Sequence, residues 1–246
     1  DGQMAIIQNG SSLFNGDAGS GPSEIRRYLI ENDWLDAIVQ LPGNAFYNTP
    51  IATYIWIVMK NKPVTHKGKV QLIDASACAS SRRKNIGSKN VDITKTCRDL
   101  IIEAYGAYVD NTYEGVDENN NTIVVKSKVM DAIDLGYNKI VVETPQFDDD
   151  GNIIMKKKKP VADKSKRDTE NVPLAEDIDA YFEREVIPYN PQAWIDKAKT
   201  KVGYEIPFTR TFYEYKQIEP SDVIAARIEE HEKNLMAKLH DLFGGE

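Results

Sequence analysis

The chain has 246 residues, 41% hydrophobic and 28% charged, which suits one large soluble domain or two small ones and excludes a disordered chain. Its 31 basic and 38 acidic residues leave a net charge of -7, so bulk charge cannot drive nucleic-acid binding, although a local basic patch still could. No apolar stretch approaches the roughly 18 to 20 residues that span a bilayer. The start "DGQMAIIQNG" has no basic leader, so a cytoplasmic protein without a membrane partner is expected.

Asp1-Gly2-Gln3 runs straight into the apolar "MAII" with no initiator methionine, and the expectation is a chain cut from something longer. Met4 to Gln8 reads as a short buried strand and Asn9 to Ser20 as a polar, glycine-containing loop. Pro22 and Ser23 stand where helix starts favour them, ahead of "SEIRRYLIEND", with Ile25, Leu29 and Ile30 on one side and Arg26 and Arg27 on the other. Leu35 to Leu41 is the next strand, and strand, helix and strand in this order predict a right-handed parallel crossover. The following loop is too short for a helix, so Ile51 to Lys60 should run antiparallel to its predecessor, with Lys69 to Asp74 as an edge strand. A run as apolar as Tyr54 to Met59 belongs to a sheet buried on both faces, yet residues 1–75 supply one good helix. The rest of the cover is therefore expected from preceding sequence, and the uncovered surface is expected to self-associate.

After Asp74 the stretch "ASACASSRRKNIGSKNVD" is small, polar and basic, which predicts a mobile surface loop. A helix is predicted from Thr94 to Val109, its stripe formed by Leu100, Ile101, Ala104 and Tyr108. Short alternating runs follow at Thr122–Val125, Lys139–Glu143 and Asn152–Met155, with Asp150-Gly151 as a turn between the last two. Ala175 to Val186 reads as a helix stopped by Pro188, and Ser221 as the cap of a long helix over Asp222 to Phe243, ended by Gly244 and Gly245. The expected organisation is a sheet over 1–75, a basic surface loop over 76–93, a mixed helical and hairpin extension over 94–219, and a terminal docking helix over 220–246.

Few motifs carry chemistry. "NGDAGSGPSE" places Gly16, Gly19 and Gly21 before a helix but fits no phosphate-loop pattern, so a plain flexible loop competes with a nucleotide loop. "FDDDGN" lacks the glutamate that closes a calcium loop, and Asp150-Gly151 explains itself as a turn. His66, His231 and His240 share no metal spacing, and Cys78 and Cys97 lie outside any CxxC pattern, so no metal site and no catalytic residue is assigned. The basic runs are Arg82-Arg83-Lys84 and Lys156 to Lys159, each either a solvated loop or a contact to a phosphate backbone. In "LPGNAFYN", Phe46 and Tyr47 project from a turn at a strand's carboxyl end, where an aromatic can stack on a base or simply pack on a helix. Ile224, Ile228, His231, Leu235, Leu239 and Leu242 recur every three or four residues among charged neighbours, an apolar seam like that of a coiled-coil strand.

Strand, helix, strand and then an antiparallel strand carrying "YIWIVMK" resembles the last third of the sheet of S-adenosylmethionine-dependent methyltransferases. "MAIIQNGSSLFNG", "GPSEIRRYLIENDWLDAIVQLPGNAFYNTPIATYIWIVMKNK" and "VQLIDAS" resemble the segment after the catalytic motif in modification subunits of type I restriction-modification systems, which are adenine-N6 DNA methyltransferases. "LGYNKIVVETP", "RDTENVPLAEDIDAYFEREVIPY" and "KVGYEIPFTRTFYEY" resemble the long C-terminal extension of one subgroup. The resemblance implies an α/β fold: the C-terminal part of a methyltransferase sheet, with a parallel crossover and an antiparallel last strand, followed by a mostly helical extension with small hairpins. It also implies DNA, a specificity subunit and, in the full complex, a restriction subunit as partners.

The family's glycine-rich cofactor loop and its Asn-Pro-Pro-aromatic motif have no counterpart here, and Asn190-Pro191 lacks the second proline and the aromatic. S-adenosylmethionine is thus expected in the intact parent and not on this chain, which alone is expected to be inactive. By resemblance Phe46 and Tyr47 match an aromatic that packs on a flipped base. Ile224, Ile228, Leu235, Leu239 and Leu242 match C-terminal helices that dock on the specificity subunit. Competing readings are an independent transferase with a divergent nucleotide loop at Asn15 to Ser23, and a stand-alone helical interaction module without an enzymatic role.

Overall fold

The structure is a computed structural model and describes residues 2–117, 120–215 and 218–243. Gly244 and Gly245, the expected end of the last helix, lie outside the described residues. The chain divides into one unit up to Phe212 and a second from Tyr213 onward. In the first, β1 (Gln3–Asn9), a helical turn α1 (Ser11–Phe14) and helix α2 (Gly21–Glu31) precede β2 (Leu35–Gln40), β3 (Thr53–Met59) and β4 (Lys69–Asp74). Strands β5 (Ser80–Ile86) and β6 (Lys89–Asp92) lead to helix α3 (Lys95–Ala107), β7 (Asn111–Val116), β8 (Thr122–Asp131) and β9 (Gly136–Glu143). There follow β10 (Met155–Lys156), β11 (Lys159–Pro160), β12 (Asp168–Pro173), α4 (Ile178–Glu185), β13 (Trp194–Ile195), β14 (Lys201–Tyr204) and α5 (Phe208–Thr211). The second unit is built on α6 (Ser221–Phe243).

The main sheet has six strands in the order β1-β3-β2-β4-β8-β7. Strand β3 is antiparallel to both β1 and β2, as expected for β2, so β1 and β2 run the same way with β3 inserted between them. Strand β4 pairs parallel with β2, but it is not the expected edge: β8 pairs along its other side from Lys69↔Asp131 to Asp74↔Lys126. The sheet therefore continues through residue 75, where a boundary was expected. The extension is also not mostly helical: β7 and β8 complete this sheet, and β9 pairs with β12, β13 and β14 in a second one. The predicted mobile loop over 76–93 is the antiparallel hairpin β5–β6.

For β2 and β4 burial on both faces is met within the chain, which narrows the expected shortfall of cover to β1. Leu35, Ala37, Ile38, Leu72 and Ile73 are 0% exposed. On one face Leu35, Ile38, Val70 and Leu72 pack with Leu13, Ile30, Tyr204, Ile206 and Phe208, so α2 shares the work with β14 and α5. On the other, Val39, Ile73 and Val125 pack with Cys97, Leu100 and Ala104 of α3. Helix α3 starts where the sequence placed it, because the Thr94 side chain accepts from the Cys97 amide at 3.2 Å.

Strand β1 is the exception. It was expected to be buried, yet all seven of its residues are exposed, with Met4, Ile6 and Ile7 at 47%, 36% and 52%. It is an edge strand, paired among the described residues to β3 alone, and an apolar groove of about 420 Å³ runs between it and α2, walled by Met4, Ile6, Ile25, Leu29 and Trp56. The face of α2 is also rotated from expectation: Ile25 is 65% exposed and Arg26 only 2%. Arg26 turns inward because backbone carbonyls wait there. Its Nε donates to Tyr204 O at 2.6 Å, and its Nη1 donates to Ser12 O at 3.1 Å and Asn15 O at 2.9 Å. Burial pushes its pKa below the ordinary value.

Two further buried polar groups tie neighbouring elements together. The Gln71 amide, 0% exposed in β4, donates to Ala104 O of α3 at 2.7 Å and to Ser127 Oγ of β8 at 2.8 Å. Glu143, 2% exposed at the end of β9, takes Arg167 at 2.7 Å and Lys199 at 2.9 Å. Burial pushes its carboxyl up, but the two cations outweigh burial and hold it below the ordinary value.

Arg26→Met keeps the volume but strands three carbonyls, and is expected to cost about 3 kcal/mol in denaturant unfolding, with Arg26→Lys intermediate. Because the folded Glu143 pKa lies below the unfolded one, its contribution is present above about pH 4.3 and lost as pH falls through the folded value. Glu143→Gln is therefore expected to lower the melting temperature at neutral pH and to flatten its decline in acid, as read by calorimetry between neutral and acid pH.

Candidate nucleic-acid interface

Strands β1, β2 and β4 run in one direction, so the loops after Asn9, Gln40 and Asp74 gather at one end of the sheet. In open α/β sheets that carboxyl end is where ligands sit. The loop after β2 is a compact turn: Leu41 N bonds Thr53 O at 2.8 Å and Asn44 N bonds Pro50 O at 3.1 Å, while Asn44 adopts φ 55°. Gly43 faces Pro50 O closely enough that a Cβ would lie 3.1 Å from it. These bonds set the two aromatics in different places. Phe46 is half-buried against the apolar cluster that β2, β4, β8 and α3 share, whereas Tyr47 is 66% exposed at the tip.

The β5–β6 hairpin leans on this loop. Ser88 N donates to Tyr47 O at 2.8 Å and Asn90 N to Asn44 O at 3.2 Å. Gly87, with φ 58°, faces Tyr47 so closely that a Cβ would lie 2.5 Å from the Tyr47 carbonyl and 2.9 Å from its ring. Only glycine fits both the backbone angle and the approach. The structure thus joins Tyr47 to the hairpin that carries Arg82, Arg83 and Lys84.

Those three cations differ. Arg82 Nη1 bonds Asp92 Oδ1 at 2.6 Å and its Nε bonds Lys84 O at 3.2 Å, so its charge is answered inside the hairpin. Arg82 and then Lys89 hold the Asp92 carboxyl below the usual range. Arg83 and Lys84 are exposed and make no side-chain ion pair among the described residues. A shallow groove of about 440 Å³ lined by Ser80, Ser81, Arg83, Lys84 and Thr94 lies beside them. Reasoning from sequence missed Gly87, Ser88, Asn44 and Asn90. The signal was the Gly87-Ser88 pair inside the polar stretch, a filling suited to a two-residue hairpin turn.

The other sequence candidates fall elsewhere. The glycine loop is braced by the protein: Asp17 pairs with Lys139 at 2.7 Å, the Lys201 side chain lies 3.2 Å from where a Gly19 Cβ would stand, and Arg26 holds Ser12 and Asn15. Asp148 Oδ1 accepts from Asp150 N at 3.1 Å and Asn152 N at 2.8 Å, the bonding of a turn. The Asn190 amide donates to Thr144 Oγ1 at 2.8 Å, a structural bond. His66 faces Asp36 at 2.9 Å, and Cys78 and Cys97 are free and buried, the Cys78 thiol pushed up by burial and then by Cys97. No group of three metal-binding side chains occurs among the described residues, and none of the described helices is long and apolar enough to cross a membrane. In the second unit Ile224 is half-buried and Ile228, Leu235, Leu239 and Leu242 are exposed.

The architecture is α/β: a mixed sheet with an antiparallel strand inserted between two strands of common direction, and an aromatic loop joined to a basic hairpin at its carboxyl end. Sequence comparison gives the family. The model of the N-6 DNA Methylase family matches residues 1–147, and the chain belongs to that family. A type I restriction enzyme methylase subunit, MjaVII, of Methanocaldococcus jannaschii is 34% identical over 95 residues, covering 37% of this chain and 16% of the relative. The MjaIX methylase subunit of the same organism is 42% identical over 71 residues, covering 28% and 13%. The matched segments therefore span less than a fifth of these relatives. A solved type I restriction-modification methyltransferase subunit from Streptococcus thermophilus is 25% identical, with TM-score 0.42 over 55% of this chain and 24% of that one.

The two aromatics should separate in stability. Phe46→Ala is expected to cost about 2 kcal/mol in denaturant unfolding, and Tyr47→Ala to stay within about 0.5 kcal/mol.

Proposed function

We propose that this chain is the C-terminal part of the modification subunit of a type I restriction-modification enzyme, an S-adenosylmethionine-dependent adenine-N6 DNA methyltransferase. The observation that carries the reading is β1: family membership combined with a strand whose seven residues are exposed and whose outer edge has no partner strand among the described residues. An apolar edge of this kind is a template for another strand. Preceding sequence of the parent is the proposed occupant, which would fill the groove beside Met4 and Ile6.

The residues of this chain do not fit S-adenosylmethionine. At the loop after β1 the Asp17 carboxylate is already paired with Lys139 and the Lys201 side chain stands beside Gly19. No catalytic step is assigned to them. Their proposed work is to hold DNA: Tyr47 stacks on the extruded adenine, Arg83 and Lys84 hold the backbone beside it, and Arg82 keeps the hairpin rigid through Asp92. The exposed seam of α6, through Ile224, Ile228, Leu235, Leu239 and Leu242, is the proposed contact with the specificity subunit.

Calorimetric titration of the isolated chain with S-adenosylmethionine is expected to give no heat, while the complete subunit binds it. Measurable binding by the isolated chain would support the independent transferase instead. In the assembled enzyme Tyr47→Ala should lower methylation by roughly 1 to 3 kcal/mol of stacking while leaving DNA binding nearly unchanged. Removing residues 221–243 should abolish co-purification with the specificity subunit and leave the rest folded. Undiminished assembly would remove α6 from the account.

A further inference from the structure

A second concentration of positive charge lies in the excursion between β9 and β12. Strands β10 and β11 form a minimal hairpin in which Lys156 pairs directly with Lys159, and Lys157 and Lys158 fill the two-residue turn. Both turn residues are left-handed, with φ 51° and 63°. That conformation is the requirement of a type I′ turn, which Asn-Gly fills far better than lysine does. Lysines directly opposite one another across two strands also repel. All four are exposed, and none has an ion pair or side-chain hydrogen bond among the described residues.

No carboxylate forms an ion pair with these lysines among the described residues. Asp148 is spent on its own turn, accepting from Asp150 N and Asn152 N, and Asp163 accepts from Ser165 Oγ at 2.6 Å and stands 3.9 Å from Lys166. Exposed Lys164 extends the basic stretch. A chain of net charge -7 thus gathers four ammonium groups on one tip, against both turn preference and cross-strand electrostatics. Neither feature helps the fold, and both are relieved by a polyanion with closely spaced charges.

We propose that the β10–β11 tip is a contact for the phosphate backbone of duplex DNA, in addition to the β5–β6 hairpin. Duplex DNA presents one charge per roughly 1.7 Å of axis, dense enough for several of these lysines to be neutralised together. The choice of DNA rests on the reading of the chain as part of a DNA methyltransferase.

The discriminating variant is Lys157→Asn/Lys158→Gly, which supplies the favoured turn and removes two charges. Binding of the 246-residue chain to a fluorescein-labelled duplex is followed by anisotropy as salt is raised. The slope of log affinity against log salt is expected to become shallower by about 2 in this variant and by about 3 to 4 in K156Q/K157Q/K158Q/K159Q, at roughly 0.9 per neutralised phosphate. The melting temperature of the Asn-Gly variant should be equal or higher, so lost affinity cannot be lost folding. Absence of duplex binding by the unsubstituted chain at low salt, or unchanged slopes in both variants, would overturn the proposal. So would a loss of binding to polyglutamate with none to DNA, which would point to an acidic protein. Failure of methyl transfer in the assembled enzyme would contradict the function reading and leave these slopes untouched.

Discussion

Two neighbouring parallel strands with no face for water set the terms for this molecule. In β2 and β4 the side chains on both faces are buried, so each face of the sheet must meet a second layer. One layer is α3, and the other is α2 joined by β14 and α5 from more than 170 residues further along the chain, as the Arg26 to Tyr204 bond, 178 residues apart, records. The extension is consequently part of the sheet's own core. A chain ending at Asp74 would leave Val70, Leu72 and Ile73 without β8, and would lose α3, β14 and α5 together.

The polar staples convert that apolar sandwich into a fixed platform. Arg26 satisfies carbonyls from the loop after β1 and from β14 in one stroke, and Gln71 ties β4 to both α3 and β8. Such groups add specificity of arrangement, because a shifted layer would strand buried donors and acceptors. The consequence for the proposed function is at the carboxyl end. With the strands fixed, the loop holding Tyr47 has a rigid base, and Gly87 lets the β5–β6 hairpin close against it.

Legibility in the sequence followed the physics of each element. Helix α3 was readable because its stripe and its Thr94 cap agree, and β2, β3 and β4 because their apolar runs are long and bounded by turns. The place of β1 was not readable, since an apolar run looks the same at the centre of a sheet and at an exposed edge. The rotation of α2 was hidden because Arg26 reads as an outward charge until the three carbonyls it serves are assembled from distant segments. Strand β8 was shortened because its inward positions include Ser127 as well as Ile123 and Val125, which breaks the apolar alternation. At the candidate interface, Tyr47 could be named but not distinguished from Phe46, because the difference lies in which ring packs against the folded core. The coupling of Tyr47 to the basic hairpin depended on a glycine within a stretch that reads as loop.

The central claim is that the sheet and its extension are one cooperative fold. Native-state hydrogen exchange with increasing denaturant tests it directly. The account predicts that amides of β2, β4, β8 and α3 open in a single event with one free energy and one denaturant dependence, while β1 exchanges earlier. If β8 and α3 open at distinctly lower free energy and leave β2 and β4 protected, the extension is an appendage and the account is contradicted.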